Sequence, residues 1–177
     1  SAQQLGQAFG YCAGMANDAI RTRAAQEPAL LHMGTTLVAA AARPELAVVT
    51  NIGDSRAYLI SREGIRQISK DHSLVENMVD HGELTQQQAR KHPSRNLITR
   101  ALGPEAAVQA DTFPVQWKQG DFLLLCSDGL VNTVTDQEIL FEVIHGGALE
   151  ECLQRLLALS RQRGAPDNVT AILLMNI

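Results

Sequence analysis

A chain of 177 residues, 45% hydrophobic and 19% charged with a net charge of −4, can bury a substantial core and reads as one globular domain. The charge balance, with no basic stripe and no interleaving of basic and aromatic residues, argues against nucleic-acid binding. No apolar run reaches the ~18 residues of a membrane span, no leader-like segment opens the chain, and three cysteines without metal-type spacing read as reduced, mostly buried thiols, so a cytoplasmic location is expected.

Residues 2–26 have helical periodicity, with Leu5, Phe9, Cys12, Ala16 and Ile20 on one face. A start inside a running helix with no evident cap is unusual, and the chain is expected to be a piece of a longer one. Pro28 breaks the helix. Thr35–Ala42, Leu46–Ile52, Arg56–Ser61 and Ile65–Ile68 read as strands with tight connections, an antiparallel meander. Gly53-Asp54-Ser55 interrupts it.

From Asp71 to His92 the sequence turns polar, with short helices expected over 73–81 and 85–91, the second capped by Thr85. This stretch holds little core material and reads as a surface excursion. Strands follow at Leu97–Leu102, Val108–Val115 and Asp121–Cys126. Helices are expected at 135–145 and 147–162, the first opened by a Thr135/Glu138 capping box, and a last strand at Asn168–Met175. Strands in the middle and helices at both ends predict an α+β layered domain of two packed sheets.

The chemistry lies where strands stop. Cys126-Ser127-Asp128-Gly129-Leu130 follows the most apolar strand, and Pro166-Asp167-Asn168-Val169-Thr170 precedes the last one. Asp54 interrupts the meander. Carboxylates held at the ends of rigid strands are good ligands for hard divalent cations such as Mg²⁺ or Mn²⁺. Bland roles compete: an Asx-type turn for Asp54 and a helix cap for Asp128. The five histidines lack zinc-site spacing, and there is neither a Gly-x-Ser-x-Gly elbow nor a P-loop. Arg56, Arg95 and Arg100 are candidate phosphate contacts because guanidinium matches phosphate geometry, with a surface or strand-edge role as the alternative.

Six stretches in order carry a resemblance: Met33-Gly34-Thr35-Thr36, Asn51-Ile52-Gly53-Asp54-Ser55-Arg56-Ala57-Tyr58, Asp71-His72-Ser73, Asn96-Leu97-Ile98-Thr99-Arg100-Ala101-Leu102-Gly103, Cys126-Ser127-Asp128-Gly129-Leu130 and Pro166-Asp167-Asn168-Val169-Thr170. Together they resemble the bacterial type 2C metal-dependent serine/threonine protein phosphatases. The resemblance implies a four-layer α-β-β-α sandwich of two antiparallel sheets. It implies hydrolysis of phosphoserine and phosphothreonine by metal-activated water, without a phosphoenzyme. Asp128 and Asp167 match ligands of a binuclear Mn²⁺ or Mg²⁺ centre, and Asp54 with Asp128 matches the holder of a third ion. Residues 71–97, opening with Asp71, His72 and Ser73, match a flap beside the site. Substrates would be phosphoproteins, with a bacterial serine/threonine kinase acting in opposition.

Family members begin with two strands that supply a phosphate-contacting arginine, a bridging aspartate and a glycine carbonyl ligand. These have no counterpart in this sequence. The chain is therefore expected to be N-terminally truncated and inactive by itself, with open sheet edges that invite self-association. The alternative is a non-catalytic, phosphatase-like binding or regulatory module.

Overall fold

In the computed structural model, which describes residues 1–177, helix α1 (Ala2–Gln26) opens the chain. It is capped after all. The Ser1 hydroxyl accepts from the Gln4 amide while the Gln4 side chain accepts from the Ser1 amine, so Ser-x-x-Gln serves as a capping box. Its buried stripe is centred on Ala13 and Asn17, beside the predicted face: Ala16 and Ile20 pack with Ala13 as expected, while Cys12 is exposed. The polar Asn17 can lie at the centre of that stripe because it is satisfied there. It donates to the Glu105 carbonyl at 3.0 Å and accepts from the Gly103 amide at 2.7 Å.

Two antiparallel sheets follow. Strands β1 (Leu37–Arg43) and β2 (Leu46–Ile52) pair across the Pro44-Glu45 turn, and β5 (Asp111–Gln116) joins the other edge of β2. The second sheet has the order β4-β3-β6-β7, built from β3 (Arg56–Ser61), β4 (Gly64–Gln67), β6 (Phe122–Cys126) and β7 (Ala171–Met175). The expected single meander is thus two hairpins in different sheets. The chain crosses between them at Gly53-Asp54-Ser55, which puts Asp54 at the junction of the layers.

Both faces of each central strand are covered, which is why these strands read as continuous apolar runs. Ala47, Val49, Ala57, Leu123 and Leu125 pack between the sheets. Their neighbours Tyr58, Ile60 and Leu124 face the other way, against α5 (Asp136–His145) and α6 (Leu149–Gln162) through Ile139, Val143, Cys152 and Leu156. Ile52 packs with Ala13 of α1. The layers are therefore α-β-β-α, and each fully buried leucine contributes roughly 1.5–3 kcal/mol. The Thr135/Glu138 capping box forms as predicted.

Residues 97–102 do not form the expected strand. Ile98 bridges only Ser73, and Leu102 only Thr35. Between these stems lie α2 (Leu74–Asp80) and α3 (Gln86–Ala89), capped by Ser73 and Thr85. Asp71, His72 and Ser73 are buried, so they anchor the excursion to the body instead of lying on its surface. No helix is long and apolar enough to cross a membrane.

Candidate metal centre

Asp54 sits in a turn that only glycine can precede. Gly53 has φ +103°, and a Cβ there would overlap the Thr36 side chain. The Thr36 and Ser55 hydroxyls hydrogen-bond at 2.8 Å, fixing the other side of the turn.

Asp128 and Asp167 come together through β6 and β7. Ser127 follows β6 and occupies the N-cap position of the short helix α4 (Asp128–Val131) without a side-chain capping bond, with Asp128 in the first turn. The Ser127 amide donates to the Thr170 carbonyl at 3.0 Å, and its hydroxyl accepts from the Thr170 amide at 3.0 Å and donates to the Asn168 carbonyl at 3.3 Å. A side chain at Gly129 would collide with the Asn168 carbonyl, so glycine permits this close approach. Gly129→Ala should therefore cost about 1–3 kcal/mol, the usual range for overpacking, and thermal denaturation checks it. An unchanged Tm would mean that the 166–170 loop yields freely.

Asp54 and Asp128 carry poorly compensated charge. Burial, and next the charge of Asp128, push Asp54 up to about 6. Burial, and next Asp167, hold Asp128 above the ordinary carboxylate range. Asp128 thus stands electrostatically between the other two. The nearby guanidinium of Arg56 gives little relief. Its Nε lies 3.0 Å from both Asp71 oxygens, its Nη2 2.7 Å from Oδ2, and its Nη1 donates to the Tyr58 hydroxyl at 3.1 Å. All-oxygen, electron-rich donors on turns fixed by strands suit a hard divalent cation. The three do not close into one cluster, because no three His, Cys, Asp or Glu side chains converge around a point. Asp167 is exposed, and its Oδ1 accepts from the Asn168 amide at 2.7 Å.

Two of the three candidate phosphate arginines have other work. Arg56 is committed to Asp71, and Arg100 donates to Asp111 Oδ1 at 2.8 Å and to the Gln109 carbonyl at 3.0 Å. Arg95 lines a cleft of about 250 Å³ between the 71–97 segment and α4–α5, together with Arg56, Glu76, Asn132 and Asp136. A larger groove of about 1130 Å³ lies at the opposite end of β3, and neither it nor the smaller cleft is lined by any of the three carboxylates; the smaller cleft adjoins them through Arg56 and Asn132.

The sequence alone assigns no role to Asn132 and places His72 only in the flap. Asn132 Nδ2 donates to Asp128 Oδ2 at 3.1 Å, and its i+4 spacing from Asp128 was the available signal. His72 Nδ1 accepts from the Gly53 amide at 3.1 Å, a contact that no local pattern announces.

The family model described as "Protein phosphatase 2C" matches residues 5–173. The chain belongs to the protein phosphatase 2C family. Among its relatives, the serine/threonine phosphatase stp of Listeria innocua is 40% identical over 157 residues, covering 89% of this chain and 62% of that protein. The chain thus spans less than two thirds of the length of such curated relatives. The crystal structure of serine/threonine phosphatase Stp1 from Staphylococcus aureus superposes with a TM-score of 0.94 at 34% identity, over 99% of this chain and 69% of that one. The catalytic domain of the phosphatase PstP, solved with two manganese ions, gives a TM-score of 0.78 at 38% identity, over 89% of this chain and 65% of that one. The α-β-β-α sandwich expected from the protein phosphatase 2C resemblance is the fold these structures share with this chain.

Proposed function

We propose that this protein acts as a metal-dependent phosphatase on phosphoserine and phosphothreonine in proteins, with Asp54, Asp128 and Asp167 as ligands of Mn²⁺ or Mg²⁺. Supporting this is the row of carboxylates in which Asp128 faces both Asp54 and Asp167, on turns fixed by the strands, in a member of this family. The two manganese ions of the PstP structure support manganese here. A bound divalent cation would supply Lewis-acid activation of water and neutralise charge on the phosphate ester. The chain's own residues hold the donors in place. Asn132 orients one Asp128 oxygen, the Ser127–Thr170 stitch fixes the spacing of Asp128 and Asp167, and Asp71 keeps Arg56 from pairing with Asp54.

Residues 71–97 act in this reading as a flap on a single catalytic domain, and the 250 Å³ cleft beneath them receives the polypeptide around the phosphoresidue. The partners are phosphoproteins made by a serine/threonine kinase in a signalling pair. Three unpaired thiols fit the cytoplasm. Exposed Ile172 and Met175 on the outer strand β7 support self-association along that edge.

The absence of a closed three-ligand cluster favours a second reading, a module that binds phosphorylated partners without hydrolysing them. Hydrolysis of a phosphothreonine peptide by the intact protein, with and without Mn²⁺, separates the two. Mn²⁺-dependent release of phosphate is expected of the intact protein, and none of residues 1–177 alone. Peptide binding without release would replace the catalytic reading with the module.

A further inference from the structure

We infer that His72 is a positioning residue for Asp54, holding the carboxylate's turn in register with β5 and with the stems of the 71–97 segment. The inference rests on the metal-centre reading above. Both backbone polar groups of Gly53 are held by this one residue. The Gly53 amide donates to His72 Nδ1 at 3.1 Å, and the His72 amide donates to the Gly53 carbonyl at 2.9 Å. Asn51, fully buried, adds a donor to the same carbonyl at 3.1 Å and spans to the Lys70 carbonyl at 2.9 Å.

The hydrogen bond from Gly53 fixes the tautomer. An amide donor at Nδ1 requires a lone pair there, so the ring proton is on Nε2 and is donated to Asp111 Oδ2 at 3.1 Å. Arg100 Nη1, 3.1 Å from the same Nε2, is also a donor and cannot bond to it; it holds Asp111 through Oδ1 instead. The His72 carbonyl accepts from the Thr99 amide at 2.8 Å, which ties in the far stem of the segment. The path runs Arg100, Asp111, His72, Gly53, Asp54.

The left-handed Gly53 can rotate more freely than any other residue type, so its amide needs an external partner to aim Asp54. His72 is buried and positions the carboxylate through that amide, as outer partners of metal ligands do.

Two near-isosteres divide the ring's functions. His72→Asn places a carboxamide oxygen where Nδ1 stands and keeps the acceptor for Gly53. His72→Gln reaches Asp111 with its amide but offers Gly53 nothing. Mn²⁺ affinity is measured by calorimetry, with Tm in EDTA as the folding control. His72→Gln is expected to weaken Mn²⁺ binding by about 10–100-fold, the range for loss of an outer partner of a metal ligand, and His72→Asn by distinctly less. A space-filling role alone predicts the reverse, because glutamine better matches histidine in volume. Equal affinities for His72→Gln and the wild type, or losses as large for His72→Asn as for His72→Gln, would overturn the inference. A wild-type protein that does not bind Mn²⁺ would overturn the metal centre itself. Long-range ¹H–¹⁵N correlation on the wild type gives a test that no variant's folding can obscure. An Nε2-protonated ring is expected, and an Nδ1-protonated ring overturns the inference.

Discussion

Asp128→Asn in the intact protein should lower Mn²⁺-dependent hydrolysis of p-nitrophenyl phosphate by more than about a hundredfold, since even outer partners of metal ligands cost 10–100-fold. The fold should survive. Asp128 lies in the first turn of α4, half-buried and outside the apolar clusters. The substitution preserves shape and leaves an oxygen to accept from Asn132. It also removes the charge that Asp54 and Asp167 oppose, so Tm should hold or rise slightly. Activity and Tm therefore separate. Turnover equal to wild type would take Asp128 out of the mechanism. Loss of both activity and fold would make it a structural cap, the bland role open to an aspartate at a helix start.

Strands β2, β3 and β6 were legible in the sequence because burial on both faces leaves unbroken apolar runs. The helix starts at Thr85 and Thr135 were legible because capping is local chemistry. What stayed hidden depends on partners far along the chain. Pairing decides whether two adjacent strands share a sheet, so the crossing at Gly53–Ser55 carried no local mark. Leu97–Leu102 looks like a strand by composition but finds only isolated bridges. Asn17 looks like a solvent-facing position until the 103–105 turn supplies its hydrogen bonds.

The candidate site divides the same way. Its carboxylates could be found because aspartate beside glycine at a strand end is conspicuous. The pairing of Arg56 with Asp71 could not, since fifteen residues and a hairpin separate them. That pairing turns an apparent phosphate contact into a neutralised, largely buried pair. The Asp71-His72-Ser73 run reads as polar and exposed, yet each member is buried against a specific partner.

Asp54→Asn should stabilise the metal-free protein at pH 8 and weaken its gain from Mn²⁺. The folded state holds Asp54 up to about 6 against an ordinary value of 3.8. Folding therefore tightens proton binding, and stability falls as pH rises between those values. Below about pH 4 both states carry the proton and the substitution gains nothing from this source. Above pH 6 the full cost of a charged, desolvated carboxylate facing Asp128 is present, and asparagine removes it. A two-unit shift corresponds to about 3 kcal/mol at most. Solvent screening of a partly exposed group reduces that to about 1 kcal/mol, or a Tm rise of about 2–4 °C in EDTA. Added Mn²⁺ should reverse the order, because a ligand stabilises the fold by an amount that grows with the logarithm of its affinity and the variant has lost a donor. Denaturation scans at pH 4 and pH 8, in EDTA and in millimolar Mn²⁺, read all four corners. A variant less stable than wild type in EDTA at pH 8 would show that Asp54 serves the turn and not a cation.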